Sequence, residues 1–246
     1  SIEKKNFEIT TLRKDISTDG RHAKVEFSDN WLEDASRRDF TINCIYSDHE
    51  GNLFDPFNGK KDLEDGKLNF IGDPEKRIKE DYLRILRYVR FFLNYSKQEH
   101  NDKIKKIIKQ NISGISNISS ERLLDEFKKI IKSKGFLKLF KDPFSEEVLT
   151  LIFPQFKNLD YFKNLNKFAK KKIIEVDHIF LISLMIVDSS DNVDYFLYKF
   201  NVSNESKKRI LFLNKFYHEK VNKNFFSEKN LWKILYYNGK QSLQDL

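Results

Sequence analysis

Two hydrophobic patterns divide the chain near Asp73. Before it, apolar residues alternate with polar ones or form short runs, and beyond it they recur at helical spacing. Residues 6–13 (NFEITTLR) alternate as a half-buried strand that turns Glu8 outward, and residues 23–27 alternate as a second strand. The polar segment Lys14–His22 between them predicts a mobile loop.

Residues typical of helix caps and turns separate the predicted elements that precede Asp73. One of residues 28–30 can cap a helix that carries the triplet Arg37-Arg38-Asp39. Residues 40–47 fit a helix or a strand equally well. Residues 50–52 predict a hairpin turn, and Asn58-Gly59 predicts another.

The strongest helical signal begins at Asp73, a predicted N-cap followed by Pro74 at the first helical position. Apolar residues then continue at helical spacing to Leu93, which predicts one long amphipathic helix. The fold class is therefore α+β, a mixed front followed by an all-helical rear. Further helices are predicted at 102–110, 119–133, 146–153, 174–187, 205–219 and 229–238.

Composition narrows the classes of protein. The single cysteine, Cys44, excludes an internal disulfide, and five scattered histidines form no zinc motif. The longest apolar run, 178–187, is far below the roughly 20 residues that cross a bilayer. These features predict a reducing, cytoplasmic setting with no membrane partner, and they leave the oligomeric state open.

The chain is basic, with 45 Lys and Arg against 37 Asp and Glu, a net charge of +8. Such a balance favours a polyanionic partner such as RNA. AT-rich coding DNA would also enrich lysine and asparagine, so both explanations stay open.

The first candidate for chemistry is RRDFTIN, Arg37–Asn43. Adjacent arginines offer planar donor forks for a phosphate or a base edge, while Asp39 and Asn43 can accept hydrogen bonds from ribose hydroxyls. The alternative is a solvated helix face with an Asp34–Arg38 ion pair at i,i+4 spacing.

The second candidate is EDYLRILRYVR in the strong helix. Asp81 lies at the edge of the apolar stripe and Arg84 about 60° further round, so that an acceptor and a donor could read a base edge together. Arg87 and Arg90 continue a basic spiral suited to a triphosphate or an RNA backbone. The alternative is an ordinary helical Asp–Arg pair worth about 0.2–0.5 kcal/mol.

Glu8 is the third candidate. Polymerase-type phosphoryl transfer uses carboxylates that hold two Mg²⁺ ions about 3.5–4 Å apart. One glutamate on a strand cannot do this alone, and taken in isolation Glu8 is typical of a surface residue.

Four ordered stretches resemble the class II tRNA nucleotidyltransferase and bacterial poly(A) polymerase family, nearly unbroken from Phe7 to Phe91. They read FEITTLR, WLEDASRRDFTIN, GNLFDPFNGKKDLEDGKLNFIGDP and RIKEDYLRILRYVRF. The resemblance implies the C-terminal part of a nucleotidyltransferase head at 1–72, a helical neck at 73–140, and a helical body at 141–246. It also implies that the neck and body grip the tRNA acceptor end.

The resemblance implies a role for each candidate in the first region. Glu8 matches the family's third active-site carboxylate. Arg38, Asp39 and Asn43 belong to its RRD motif, which binds the nucleotide and senses its ribose. Lys14–His22 overlaps its flexible loop.

The resemblance also implies roles for residues of the predicted helix that begins at Asp73. Asp81 and Arg84, in the E-D-x-x-R motif, would act as a protein template for CTP and then ATP. Arg87 and Arg90 would contact the bound nucleotide.

One departure from the family is serious. Its glycine-rich G-G-x-x-R-D loop and its D-x-D metal pair occur nowhere in these 246 residues, and both are expected upstream of Phe7. We therefore predict an N-terminally truncated chain that lacks an initiating Met, binds nucleotide weakly and is inactive alone. Mg²⁺ is expected in the complete enzyme, and the shortened sheet would expose an edge.

Three functions remain. The leading hypothesis is CCA addition, the transfer of CMP and AMP from CTP and ATP to the tRNA 3′ end. A poly(A) polymerase shares the motifs, but the short spacing between LRKD and the RRD segment favours CCA addition. An alternative of another class is a non-catalytic RNA-binding module, which predicts salt-dependent binding of tRNA without metal.

Overall fold

The computed structural model describes residues 10–18, 23–173, 175–188, 190–218 and 226–246. The chain forms two compact units, Ser1–Asn117 and Ile118–Leu246. Helices dominate both units, and the described strands all lie in the first unit, which confirms the α+β class. The division into head, neck and body stays a prediction.

The strands of the first unit form two antiparallel pairs, β1 with β2 and β3 with β4. The first unit contains β1 (Arg13–Thr18), β2 (Ala23–Phe27), α1 (Trp31–Ser36), β3 (Tyr46–Ser47), β4 (Leu53–Phe54), α2 (Gly59–Asp65), α3 (Pro74–Glu80), α4 (Leu83–Tyr95) and α5 (Asp102–Asn111).

The strand prediction at 23–27 is confirmed, whereas the loop prediction is wrong for residues 14–18, which belong to β1. Residues 19–22 of the predicted loop lie outside the described residues. The polar segment Arg13–Thr18 is a strand because it pairs antiparallel with β2, with Arg13 opposite Phe27. Partner strands outweigh the weak preferences of polar residues.

Glu8 and the rest of residues 6–9, half of the predicted strand 6–13, lie outside the described residues. The strand prediction is wrong for residues 10–12, because β1 begins only at Arg13.

The hairpin turn predicted at residues 50–52 is confirmed. Tyr46 lies opposite Phe54 in the short pair β3–β4, and Gly51 adopts a φ of 90°, which favours glycine. The turn at Asn58 is confirmed too, since this residue is left-handed with a φ of 56°.

The segment after α1 departs from the helix predicted for it. Asn30 caps α1 as predicted, and its side chain accepts a hydrogen bond from the backbone N of Leu32 at 2.9 Å. The helix ends at Ser36, so the Arg37–Asp39 triplet follows it. Phe40 is fully buried and bridges to Phe70 in the backbone, which draws the chain out of the helix.

The ambiguous segment 40–47 forms a 3₁₀-helix, Thr41–Asn43, and then β3.

The single long helix predicted from Asp73 is wrong. Asp73 and Pro74 start α3 as expected, and the Asp73 carboxylate accepts from the backbone N of Lys76 at 2.9 Å. Asp81 is extended, with φ −153° and ψ 104°, and its Oδ1 accepts from the backbone N of Leu83 at 3.1 Å. An aspartate side chain that bonds nearby backbone competes with the helix, so Asp81 ends α3 and begins α4.

Aromatic rings connect α4 to the segments that precede it. Phe40 lies 4.8 Å from Phe70 between ring centroids, and Tyr88 of α4 stacks on Phe70 at 5.9 Å. Ring pairs at these distances add to the free energy gained from burying apolar area. This packing fixes α4 beside the RRD segment.

The second unit is helical, as predicted, around a phenylalanine core. Phe127 lies 5.1 Å from Phe153, which stacks on Phe156 at 4.8 Å. No described helix is long and apolar enough to cross a membrane. The unit contains α6 (Ser120–Ile131), α7 (Pro143–Ile152), α8 (Asp160–Lys163), α9 (Lys167–Lys172), α10 (His178–Ile186), α11 (Asn192–Lys199), α12 (Asn204–His218) and α13 (Glu228–Gln244).

Candidate nucleotide-binding site

Asp34 on α1 organises the two arginines of the RRD segment. Its carboxylate is 1% exposed and accepts from Arg37 Nη2 at 2.5 Å, Arg38 Nη2 at 3.0 Å and the Tyr46 hydroxyl at 2.8 Å. The Asp34–Arg38 ion pair of the alternative interpretation is therefore present. It is sheltered, however, and holds both arginines at the start of the RRD turn.

Burial and hydrogen bonding act in opposite directions on Asp34. Burial alone would raise its pKa, but hydrogen bonds from Tyr46, Arg37 and Arg38 lower the pKa to about 2. The hydroxyl of Tyr46 is affected in turn, because burial and the neighbouring carboxylate raise its pKa to about 12. Asp34 is thus a permanent anion at neutral pH.

Asp39, Asn43 and Arg87 come together in the structure. Asn43 Nδ2 donates to Asp39 Oδ1 at 2.8 Å, and Arg87 Nε donates to Asp39 Oδ2 at 2.6 Å. The Asp39 side chain is 5% exposed. Burial opposes its charge, but the Arg87 guanidinium holds the pKa of this carboxyl below its usual value. Arg87 of α4 therefore contacts the RRD segment directly.

Arg77 of α3 is a second link that the sequence analysis missed. Its Nη2 donates to the backbone carbonyl oxygens of Arg37 at 2.5 Å and Arg38 at 2.6 Å. Its Nη1 donates to Glu80 Oε2 at 2.5 Å. The i,i+3 spacing of Arg77 and Glu80 was readable from the sequence, whereas the link to two distant carbonyls carried no sequence signal.

Asp81 and Arg84 lie at the junction of α3 and α4. Arg84 is 14% exposed, and its Nη1 donates to Glu80 Oε2 at 2.6 Å and to the backbone carbonyl of Arg77. The helical-wheel argument for a continuous helix fails here because Asp81 is extended. The role of the pair as a base template stays a prediction.

Arg87 and Arg90, the last two predicted site residues, both contact the ring of Phe91. The guanidinium carbon of Arg90 lies 4.4 Å from the ring centroid, and that of Arg87 lies 5.7 Å away. Cation–π contacts of this kind orient arginines without neutralising their charge.

Positive charge exceeds negative charge in this network. Among the described ion pairs, five arginines are paired with three carboxylates, those of Asp34, Asp39 and Glu80, and Asp81 at the α3–α4 junction adds a fourth carboxylate. The surplus suits a polyanion such as a triphosphate, which arginine forks bind through paired hydrogen bonds.

A divalent-metal site does not fit the described residues. They contain no group of three or more His, Cys, Asp or Glu side chains that could hold a metal ion. The carboxylates of the network already pair with arginines, and Glu8 lies outside the described residues.

An open groove of ≈ 840 Å³ lies elsewhere in the first unit, lined by residues 28–33 and Phe54. None of the predicted site residues lines it. Cys44 is buried, and burial raises the pKa of its thiol to about 11, so it is no nucleophile.

Two family models match the chain. Residues 1–69 match the poly A polymerase head domain, and residues 101–159 match a probable RNA- and SrmB-binding site of polymerase A. The human mitochondrial CCA tRNA nucleotidyltransferase 1 is 37% identical over 221 residues, which are 87% of this chain and 49% of the relative. The chain thus spans about half the length of the curated relatives it matches.

Solved structures share the fold. The CCA-adding enzyme of Bacillus stearothermophilus in complex with CTP has a TM-score of 0.68 at 22% identity, with 96% of this chain and 57% of that chain covered. The Thermotoga maritima CCA-adding enzyme complexed with tRNA has a TM-score of 0.59 at 20% identity, with 87% and 56% covered. At such identities the likeness concerns the fold alone.

Proposed function

We propose a function for this chain from the family to which it belongs, that of the CCA-adding tRNA nucleotidyltransferases and poly(A) polymerases. It supplies the nucleotide-selecting part of an enzyme that transfers CMP and AMP from CTP and ATP to the 3′ end of tRNA. CCA addition is favoured over poly(A) synthesis because the similar proteins named here are CCA-adding enzymes.

The observation that carries the proposal is the link between the RRD segment and the α3–α4 junction. Arg77 bonds the carbonyls of Arg37 and Arg38, and Arg87 pairs with Asp39. The motif predicted to hold ribose and phosphate is therefore fixed beside the pair predicted to read the base. A nucleotide held by the first would present its base to the second.

Base selection falls to Asp81 and Arg84 in this proposal. The contacts of Arg84 with Glu80 and Arg77 use only its Nη1, whereas a guanidinium carries five N–H donors. The donors on Nε and Nη2 can serve a base edge while Glu80 keeps the guanidinium in place. Asp81 supplies the acceptor. An acceptor beside a fixed donor distinguishes the hydrogen-bonding edges of bases.

The remaining partners follow from the family and the charge of the chain. We propose that tRNA is the acceptor, since the Thermotoga maritima enzyme is complexed with tRNA, and that the net charge of +8 supports its binding. We propose Mg²⁺ as the ion of the complete enzyme, but the described residues offer no site for it and no step is assigned to it. The cytoplasmic setting stays a prediction, since the human relative is mitochondrial by name.

Transfer of labelled CMP and AMP tests the proposal. The human relative's residues that precede its match to this chain would be fused to residues 1–246. The chimera would then be incubated with tRNA lacking its CCA end and with CTP or ATP. We expect incorporation that ends after CCA, and none by the chain alone.

A matched chimera with Arg84→Ala tests base selection, and its binding of tRNA checks that it is folded. It should bind tRNA as before but lose discrimination among triphosphates. Long products made from ATP alone would support poly(A) synthesis instead. A folded chimera that binds tRNA and incorporates neither nucleotide would contradict the proposal.

A further inference from the structure

Helix α13 exposes three aromatic rings to solvent. Trp232 is 63% exposed, Tyr236 83% and Tyr237 77%. Large aromatic side chains usually bury most of their surface, and adjacent exposed rings mark an interaction surface. This cluster lies in the second unit and shares no residue with the nucleotide site.

The rings share one side of the helix with two lysines. At about 100° per residue, the exposed residues Lys229, Trp232, Lys233, Tyr236 and Tyr237 fall within an arc of about 140°. We call these five residues the aromatic face. The opposite side of α13 holds the half-buried residues Leu231, Ile234 and Leu235.

Charge indicates what the aromatic face binds. Helix α13 contains three lysines and one acidic residue, Glu228 at its start. Aromatic rings beside cations are the composition of surfaces that bind single-stranded nucleic acid, where bases stack on rings and lysines contact phosphates. A single glutamate does not form the acidic rim that would favour a basic protein segment.

The aromatic face is held in place before any ligand arrives. The Trp232 indole N–H donates to Glu228 Oε1 at 3.3 Å, and the rings of Tyr236 and Tyr237 meet edge to face at 5.0 Å. Beyond the aromatic face the helix is kinked at Gly239, which has a φ of 80° and a ψ of 169°. Fixed rings lose little conformational entropy when a base stacks on them.

We propose that the aromatic face binds unpaired RNA bases by stacking. Duplex RNA hides its base faces, so the ligand is a single strand, a loop or an unpaired end. The inference rests on the proposed function only for the class of partner, RNA, and it adds a site separate from nucleotide selection.

Binding of short RNAs to the purified chain tests this inference. A labelled single strand of about 12 nucleotides and a duplex of the same length would be titrated by fluorescence anisotropy, without triphosphate or metal. The variant Trp232→Ala/Tyr236→Ala should bind the single strand at least about tenfold more weakly than the wild type. Wild-type chain should prefer the single strand to the duplex.

Two further variants make the test specific. Tyr195→Ala/Tyr198→Ala removes two rings of α11 in the same unit, 55% and 88% exposed, and should bind like the wild type. Lys229→Ala/Lys233→Ala should reduce the slope of the logarithm of the RNA binding constant against the logarithm of the salt concentration by about 1.4, because each lysine contributes about 0.7 for a single strand.

Several results would overturn the inference. The first is an α13 aromatic variant that binds the single strand as tightly as the wild type, and the second is an α11 variant that loses as much affinity as the α13 variant. The third is equal affinity of the wild type for duplex and single-stranded RNA. The fourth is a wild-type chain that forms an oligomer while the α13 variant is monomeric. Because no triphosphate or metal is present, failure of nucleotide transfer by the chimera leaves this result unaffected.

Discussion

Each unit contains a partly buried arginine–carboxylate network, and the two networks differ in charge balance. In the first unit, five arginines share the carboxylates of Asp34, Asp39 and Glu80. In the second, one arginine, Arg209, lies between Asp177 and Asp245, with Nη1 2.6 Å from Asp177 Oδ1. The first network has surplus positive charge, and the second has surplus negative charge.

This difference separates a binding site from a structural tie. A surplus of guanidinium groups attracts a polyanion, whereas an arginine between two carboxylates has no charge left to offer. Arg209 is only 12% exposed and joins α12 to both the start of α10 and the end of α13. Burial and pairing alone therefore do not indicate function, and the balance of charges is the better guide.

The largest expected effect comes from removing an acid that several cations share. Asp34→Ala should lower the free energy of unfolding of the first unit by about 3 kcal/mol, because two guanidiniums and a hydroxyl lose their acceptor. Asp245→Ala should lower that of the second unit by about 1.5 kcal/mol, since Arg209 keeps Asp177.

Urea denaturation can follow each unit separately through its one tryptophan. Trp31 reports on the first unit in a Trp232→Phe background, and Trp232 reports on the second in a Trp31→Phe background. Asp65→Ala, which breaks an exposed pair with Lys67, is the control and should cost below about 1 kcal/mol. Equal costs at Asp34 and Asp65 would remove the distinction between shared and ordinary acids.

A smaller effect is expected from acid. The pKa of Asp34 is about 2 in the folded chain against an ordinary 3.8, so the unfolded state binds its proton first as pH falls. The stabilisation is complete above about pH 4 and is lost as pH falls towards 2. The Trp31 signal should show a shallower loss in Asp34→Asn than in the wild type, and identical slopes would contradict the assignment.

The smallest effect is expected at His178 of the second unit. Burial lowers its pKa below 6.5, aided by Lys132, Lys128 and Arg209 and opposed by Asp177. The unfolded state then binds the proton first, so stability falls as pH drops below 6.5. His178→Gln should flatten this dependence, while the control His49→Gln, at a 92% exposed histidine, should not. If both variants showed the same dependence of stability on pH as the wild type, the role of His178 would be contradicted.

Local signals in the sequence predicted much of the fold. The Asp73 cap with Pro74, the hairpin at Gly51 and the Asn30 cap all depend on residues a few positions apart. Such interactions are readable because the chemistry of caps and turns is local.

Contacts between distant segments were not predictable in the same way. The strand Arg13–Thr18 depends on its partner β2, and the break at Asp81 depends on one side chain bonding the backbone of Leu83. The shared carboxylate of Asp34 looked like half of an ordinary helical pair. Its burial, which gives it a larger role, results from packing that periodicity alone does not specify.

The sequence indicated which motif residues lie together better than it indicated their contacts. Asp39, Asn43 and Arg87 meet in the structure, as their common assignment to one nucleotide site leads one to expect. Arg77 was missed because it bonds the backbone carbonyls of Arg37 and Arg38, which are 40 and 39 residues away in the sequence.

Nucleotide preference of the 246-residue chain tests the central claim most directly. Saturation-transfer NMR would compare CTP, ATP, UTP and GTP on the wild type, Asp81→Ala and Arg84→Ala, with Lys67→Ala as a control at an exposed cation. We predict that the wild type and the control prefer CTP and ATP, and that both junction variants lose the preference while triphosphates still bind. A preference that survives in both junction variants, or a folded wild type that binds no triphosphate, would contradict the account.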